Sequence, residues 1–134
     1  YVQTIITQLQ GQIQTAQGMH TLVAQVALPS VAALKQVITA LKHVGTSYCW
    51  ILAATVAQRP HIAVALSKDL AQQWPQNAQD IAKVLAGPIQ GGGGGQPTLA
   101  TAGGKDVSGL PQVVKLAEEL LEKLCVGNRH VGQG

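Results

Sequence analysis

The chain has 134 residues, of which 46% are apolar, 11% charged and 3% aromatic. That length suits one compact domain, and few charges at an ordinary apolar content exclude intrinsic disorder, which needs the opposite balance. The longest near-continuous apolar stretch, Cys49 to Ala57 with Thr55 inside it, is about half of what a membrane-spanning helix needs, so no membrane span is expected.

The formal charge is +3, and its distribution matters more than its sum. No acidic residue occurs from Tyr1 to Lys68, where Lys35, Lys42, Arg59 and Lys68 are the only formal charges. All six acids follow, with Glu118, Glu119 and Glu122 clustered. An unopposed weakly positive half suits a polyanionic partner. Six of the 17 glutamines fall between Gln3 and Gln17. A neutral amide face suits burial against other copies, or against phosphate and sugar, because Gln donates and accepts hydrogen bonds without charge desolvation. Alternatively, it is a plain solvated face.

In chain order, Tyr1 to Leu28 reads as one long amphipathic helix. Val2, Ile5, Leu9, Ile13, Ala16, Met19, Val23 and Val26 recur at steps of three or four, and Pro29 stops it. Ser30 looks like the N-cap of a second helix with Val31, Leu34, Val37, Ile38, Leu41 and Val44 inward, ended by Gly45. Ser47 to Gln58 reads as a third helix, central and apolar nearly all round. Pro60 opens a fourth, with Ile62, Val64, Leu66 and Leu70 inward. Pro75 opens a fifth, with Ile81, Val84 and Leu85 inward, closed by Gly87 and Pro88.

From Gly87 to Leu110 the composition shifts to nine glycines, including Gly91 to Gly95 in a row, and a long flexible loop is expected. Pro111 starts the last helix, with Val113, Val114, Ala117, Leu120, Leu121 and Leu124 inward and Gly127 as its cap. Lys115, Glu119 and Lys123 at steps of four give it modest support. No strand is expected. The fold class is therefore all-α, a bundle of five to six helices with a long N-terminal helix and a Gly-rich loop before the last one. The expected organisation is a helical domain over 1–86, the loop over 87–110, a packed helix over 111–127 and a tail over 128–134.

Catalytic and metal signatures are missing from the sequence. His20, His43, His61 and His130 do not pair at metal-ligand spacing, and neither Cys49 nor Cys125 lies in a CxxC pair. One bridge between these cysteines is open, and two buried thiols are the simpler expectation. Gly103–Gly104–Lys105–Asp106 lacks the Ser or Thr of a P-loop and follows no expected strand, which rejects nucleotide binding. The Glu cluster has lysines at salt-bridge spacing and reads as a solvated face. The expectation is no enzyme, cofactor, metal or small-molecule substrate. Four aromatics are too few for stacking along a single strand. An apolar recognition helix cannot read a major groove. The Tyr1 start implies that something upstream was removed or left out, and no signal peptide is visible in what remains.

The mixture of Ala, Val, Gln and Thr, the Pro- and Gly-punctuated helices, the slight basic excess and the acid-free first half resemble the major capsid proteins of archaeal filamentous and rod-shaped viruses. The resemblance covers Tyr1 to about Ala86 in character. It implies a self-assembling virion subunit wrapping double-stranded DNA. Lys35, Lys42, Arg59 and Lys68 would face phosphate, with Gln3, Gln10, Gln14 and Gln17 of the first helix beside them. A soluble helical-bundle interaction module without nucleic acid is the alternative.

Overall fold

The computed structural model describes residues 2–16, 19–41, 47–56, 58–74, 77–89 and 91–133; of residues 2, 14–16, 19, 93 and 123–133 it describes the backbone alone. The chain forms a three-layer α/β/α sandwich. Its elements are α1 (Val2–Gln12), β1 (Gln14–Ala16), β2 (Met19–Leu28), α2 (Val31–Leu41), β3 (Tyr48–Val56), β4 (Arg59–Leu66), α3 (Lys68–Gln73), α4 (Ala78–Ala86), β5 (Gly92–Gln96), β6 (Leu99–Gly103), a 3-10 turn (Val107–Gly109) and α5 (Leu110–Gln133). The six-stranded sheet has the order β1-β2-β3-β4-β6-β5. Only β2 and β3 are parallel, joined by α2, and every other neighbouring pair is antiparallel.

The all-α bundle is therefore corrected, and with it the helical-bundle module. The error has a physical source in β3. Cys49, Ile51 and Ala53 face the layer of α3, α4 and α5, while Trp50, Leu52 and Ala54 face α1 and α2. All six are 1% exposed or less. A strand buried on both faces loses its alternation and cannot be told from a buried helix by periodicity. The same holds for β4, where Ile62, Val64 and Leu66 enter one core and Ala63 and Ala65 the other.

The expected first helix ends at Gln12, and Met19–Leu28 is a strand paired with β3 from His20↔Tyr48 to Leu28↔Val56. Its two valines, Val23 and Val26, which had continued the helical stripe, lean toward opposite cores. The second helix is α2, with Ala33, Leu34, Val37, Ile38 and Leu41 buried; its expected stop at Gly45 lies outside the described residues. The fifth is α4, opened by a capping box. The Asn77 side chain accepts from the Asp80 N–H at 3.1 Å, and the Asp80 carboxylate accepts from the Asn77 N–H at 3.2 Å.

The glycine-rich stretch is no loop. It holds β5 and β6, an antiparallel pair in register from Gly92↔Gly103 to Gln96↔Leu99. Helix α5 follows as expected, burying Leu110, Val113, Ala117 and Leu121. It runs through Gly127 to Gln133, where a cap and a tail were expected. Cys49 is buried in the sheet, and the Cys125 side chain lies outside the described ones.

Candidate nucleic-acid interface

The two cores cover the sheet unequally. Helices α1 and α2 lie over one face but stop short of β6 and β5, which leaves a groove of about 770 Å³. One wall is α2, with Val31, Leu34, Lys35, Ile38 and Thr39. The floor and far wall are His61 and Ala63 of β4, Leu99, Thr101 and Gly103 of β6, and Gly92 and Gly94 of β5. Registers place these on one face, since His61 opposes Gly103, Ala63 opposes Thr101, and Thr101 opposes Gly94.

A second concavity of about 360 Å³ adjoins the first at the end of the same strands. Arg59, His61, Gly91, Gly92, Gly103, Gly104 and Lys105 line it. His61, Gly92 and Gly103 belong to both. Arg59 and Lys105 are exposed and His61 half-buried. Among the described residues, neither lining contains an acid. Arg59 and Lys105 thus put two cations at the end of the glycine strands, where the Gly91, Gly104 and Lys105 N–H groups already donate to the carbonyls of Ala86, Pro60 and Ile89.

Asp106, next to Lys105, is engaged by its own turn, and Asp69 lies at the far end of β4. Asp106 accepts from the Ser108 N–H at 3.0 Å and from the Ser108 hydroxyl, capping the 3-10 turn. Asp69 accepts from the Ser47 hydroxyl, and this bond, then one from Ser67, holds its carboxyl below the usual carboxylate range against the opposing push of burial. The Tyr48 phenol is pushed up by burial and then by the Asp69 charge. Ser67, buried, also accepts from the Tyr48 N–H at 3.1 Å.

The glycines divide into two kinds. A Cβ at Gly91 would meet the Gly103 carbonyl oxygen at 2.1 Å, one at Gly104 the Ile89 oxygen at 2.3 Å, and one at Gly109 the Pro88 oxygen at 2.1 Å. Gly95, at φ +147°, would set a Cβ 2.6 Å from the Leu99 oxygen. These four are required by close backbone approach. A Cβ at Gly92 or Gly94 would meet nothing within 4 Å.

The structure distributes the expected site residues unevenly. Lys35 is exposed on the groove wall and Arg59 in the adjoining notch. Lys68 starts α3 beyond the far end of β4, roughly 23 Å of strand away from Arg59. Gln3 and Gln10 are exposed on α1 and line neither concavity. Gln14 lies in β1 with its side chain undescribed, and Lys42 and Gln17 lie outside the described residues. Sequence reasoning missed His61, Lys105, Thr39, Thr101, Gly92 and Gly94 as neighbours. Its one available signal was the basic GGK following a glycine run. Among the described residues no His, Cys, Asp or Glu cluster suits a metal, and no helix is long and apolar enough to cross a membrane.

Residues 18–123 match the model of the DHHA1 domain. The chain belongs to the DHHA1 family. It is 36% identical over 118 residues to an alanine–tRNA ligase of Cytophaga hutchinsonii, covering 88% of this chain and 14% of that protein. It is 33% identical over 110 residues to the one of Lactiplantibacillus plantarum, covering 82% and 12%. This DHHA1 chain thus spans a small part of the relatives it matches. Its fold is that of the C-Ala domain from Aquifex aeolicus alanyl-tRNA synthetase, at TM-score 0.68 and 21% identity, covering 81% of this chain and 96% of that one. The fold is also shared with the DHH domain of a member of the s1p family of ribosomal proteins, at TM-score 0.55 and 14% identity, covering 92% and 30%. These relatives overturn the capsid reading and the virion location that came with it. The likeness in composition had a trivial cause, since sparse charge and abundant Ala and Val also suit a sheet covered on both faces.

Proposed function

We propose that this DHHA1 chain is an RNA-binding domain that holds the phosphate backbone of a tRNA-like RNA on the surface formed by Arg59, His61, Lys105 and the glycine strand. One observation carries the reading: two adjoining concavities, with no acid among their described lining residues, bring Lys35, Arg59 and Lys105 to the glycine strands. The name of the relatives, alanine–tRNA ligases, supports RNA over other polyanions. The reading assigns binding to this chain, not bond-making, and it requires neither self-assembly nor duplex DNA.

Fluorescence anisotropy with a transcribed alanine tRNA, across a salt series, tests it. Binding should weaken with salt, and Arg59→Ala and Lys105→Ala should each reduce the slope by about one ion. Double-stranded DNA of equal charge is the comparison ligand and should bind more weakly. A salt slope unchanged in both variants, or tighter binding to the DNA, overturns the reading.

A further inference from the structure

We propose that the groove between α2 and the β4–β6–β5 end of the sheet is a seat for one unpaired nucleoside. The domain would then take RNA with an extruded nucleotide in preference to an uninterrupted duplex. This rests on the RNA-binding reading and names the class of RNA.

The argument begins with glycine. Glycine weakens a strand unless a backbone conformation or a close approach demands it. Gly92 and Gly94 have neither demand: a Cβ at each meets only open space, and positive φ among the described glycines is confined to Gly95. Their missing side chains are explained by what they keep empty. Both share a face with Thr101 and Gly103, so a side chain at either would stand in the groove.

The volume thus preserved suits a nucleoside. About 770 Å³ lies within the range of small-ligand sites, and its make-up is that of such sites, mostly apolar with few polar groups. Leu34, Ile38 and Leu99 offer apolar wall, and the glycine peptides offer a flat surface for a ring. Thr39, Thr101 and His61 can donate and accept, which base edges require. Unpaired RNA bases are read in this way, splayed out with their edges exposed.

Continuity with the basic notch supplies the second half. His61, Gly92 and Gly103 line both concavities, so a base in the groove places its own phosphate beside Arg59 and Lys105. A duplex presents phosphates to the notch but no free base to the groove.

The test uses a hairpin RNA with one bulged 2-aminopurine and the same hairpin without the bulge. The intact chain should bind the bulged hairpin at least tenfold tighter, with a change in 2-aminopurine fluorescence. Gly94→Thr places a side chain in the groove away from the notch. It should remove that preference and the fluorescence change while the protein melts no lower than the parent. Thr39→Phe fills the groove from the exposed face of α2 and serves if Gly94→Thr fails to fold. Equal affinity of the parent for both hairpins, or a preference surviving both substitutions, overturns the nucleoside seat and leaves the phosphate surface standing. Failure of the parent to bind either hairpin overturns both readings.

Discussion

His61 and Gly103 are cross-strand partners on β4 and β6, and a Cβ added to Gly103 would stand 3.4 Å from His61 Nδ1. The half-buried imidazole therefore lies over a glycine at the boundary between groove and notch. That contact distance is tight but tolerable. Gly103→Ala should leave stability within about 1 kcal/mol of the parent, since a compatible Gly→Ala change also restricts the unfolded chain. It should shift the His61 ring resonances in an NMR spectrum. A large fall in melting temperature with an unmoved imidazole would contradict this contact.

Neighbouring glycines of β5 should respond in opposite ways. Gly95→Ala forces a side chain onto φ +147° and to within 2.7 Å of the Ala100 Cα, so a loss on the order of 1–3 kcal/mol is expected. Gly94→Ala meets open space and should be neutral or slightly stabilising. Urea titrations of the two variants side by side check the contrast, and equal losses would refute it.

The Ser47–Asp69 bond should make stability depend on pH. The Asp69 carboxyl titrates below its ordinary value of 3.8 in the folded chain. Its contribution is thus complete above that value and lost as pH falls through the lower folded value. Ser47→Ala removes the largest cause. Its destabilisation should be full near about pH 7 and shrink toward zero near about pH 2. The two urea midpoints compared at both pH values provide the measurement, and a pH-independent difference would mean that the hydroxyl acts by packing alone.

Helix α4 depends on its reciprocal cap. Asn77→Ala removes the acceptor of the Asp80 N–H and should cost about 1 kcal/mol. Asn77→Asp preserves an acceptor at a helix N-terminus and should cost less. Thermal melts of the pair decide it.

Leu52 is fully buried under the α1–α2 layer, in a strand that also packs α3–α5 on its other face. Leu52→Ala should therefore cost about 2–5 kcal/mol. A loss under about 1 kcal/mol would argue that the layer above β3 collapses freely into the space.

The sequence by itself determined the parts whose signals are local. Helix α2 follows from Leu34, Val37, Ile38 and Leu41 at helical spacing, α4 from the stretch ending at Gly87, and α5 from Leu110 to Leu121. The acid-free, weakly basic first half offered Lys35, Lys42, Arg59 and Lys68 as contacts for a polyanion, and of these Lys35 and Arg59 line the two concavities while Lys68 lies away from them. The tertiary structure alone decided the rest, for a physical reason at each place. Strands β3 and β4 are buried on both faces, so their apolar runs carry no period that separates strand from helix. The valines of β2 happen to fall at helical spacing, and its pairing with β3 overrides that stripe. The glycine run reads as flexible because its own propensity is for disorder. Pairing with β6 and the cover of α4 hold it as a strand, with the Gly95 carbonyl accepting from the Gln79 side-chain amide. The candidate site depends on that same pairing. Arg59, His61, Gly92, Gly103 and Lys105 span 47 positions of sequence, and only the β4–β6–β5 register brings them to one end of one sheet.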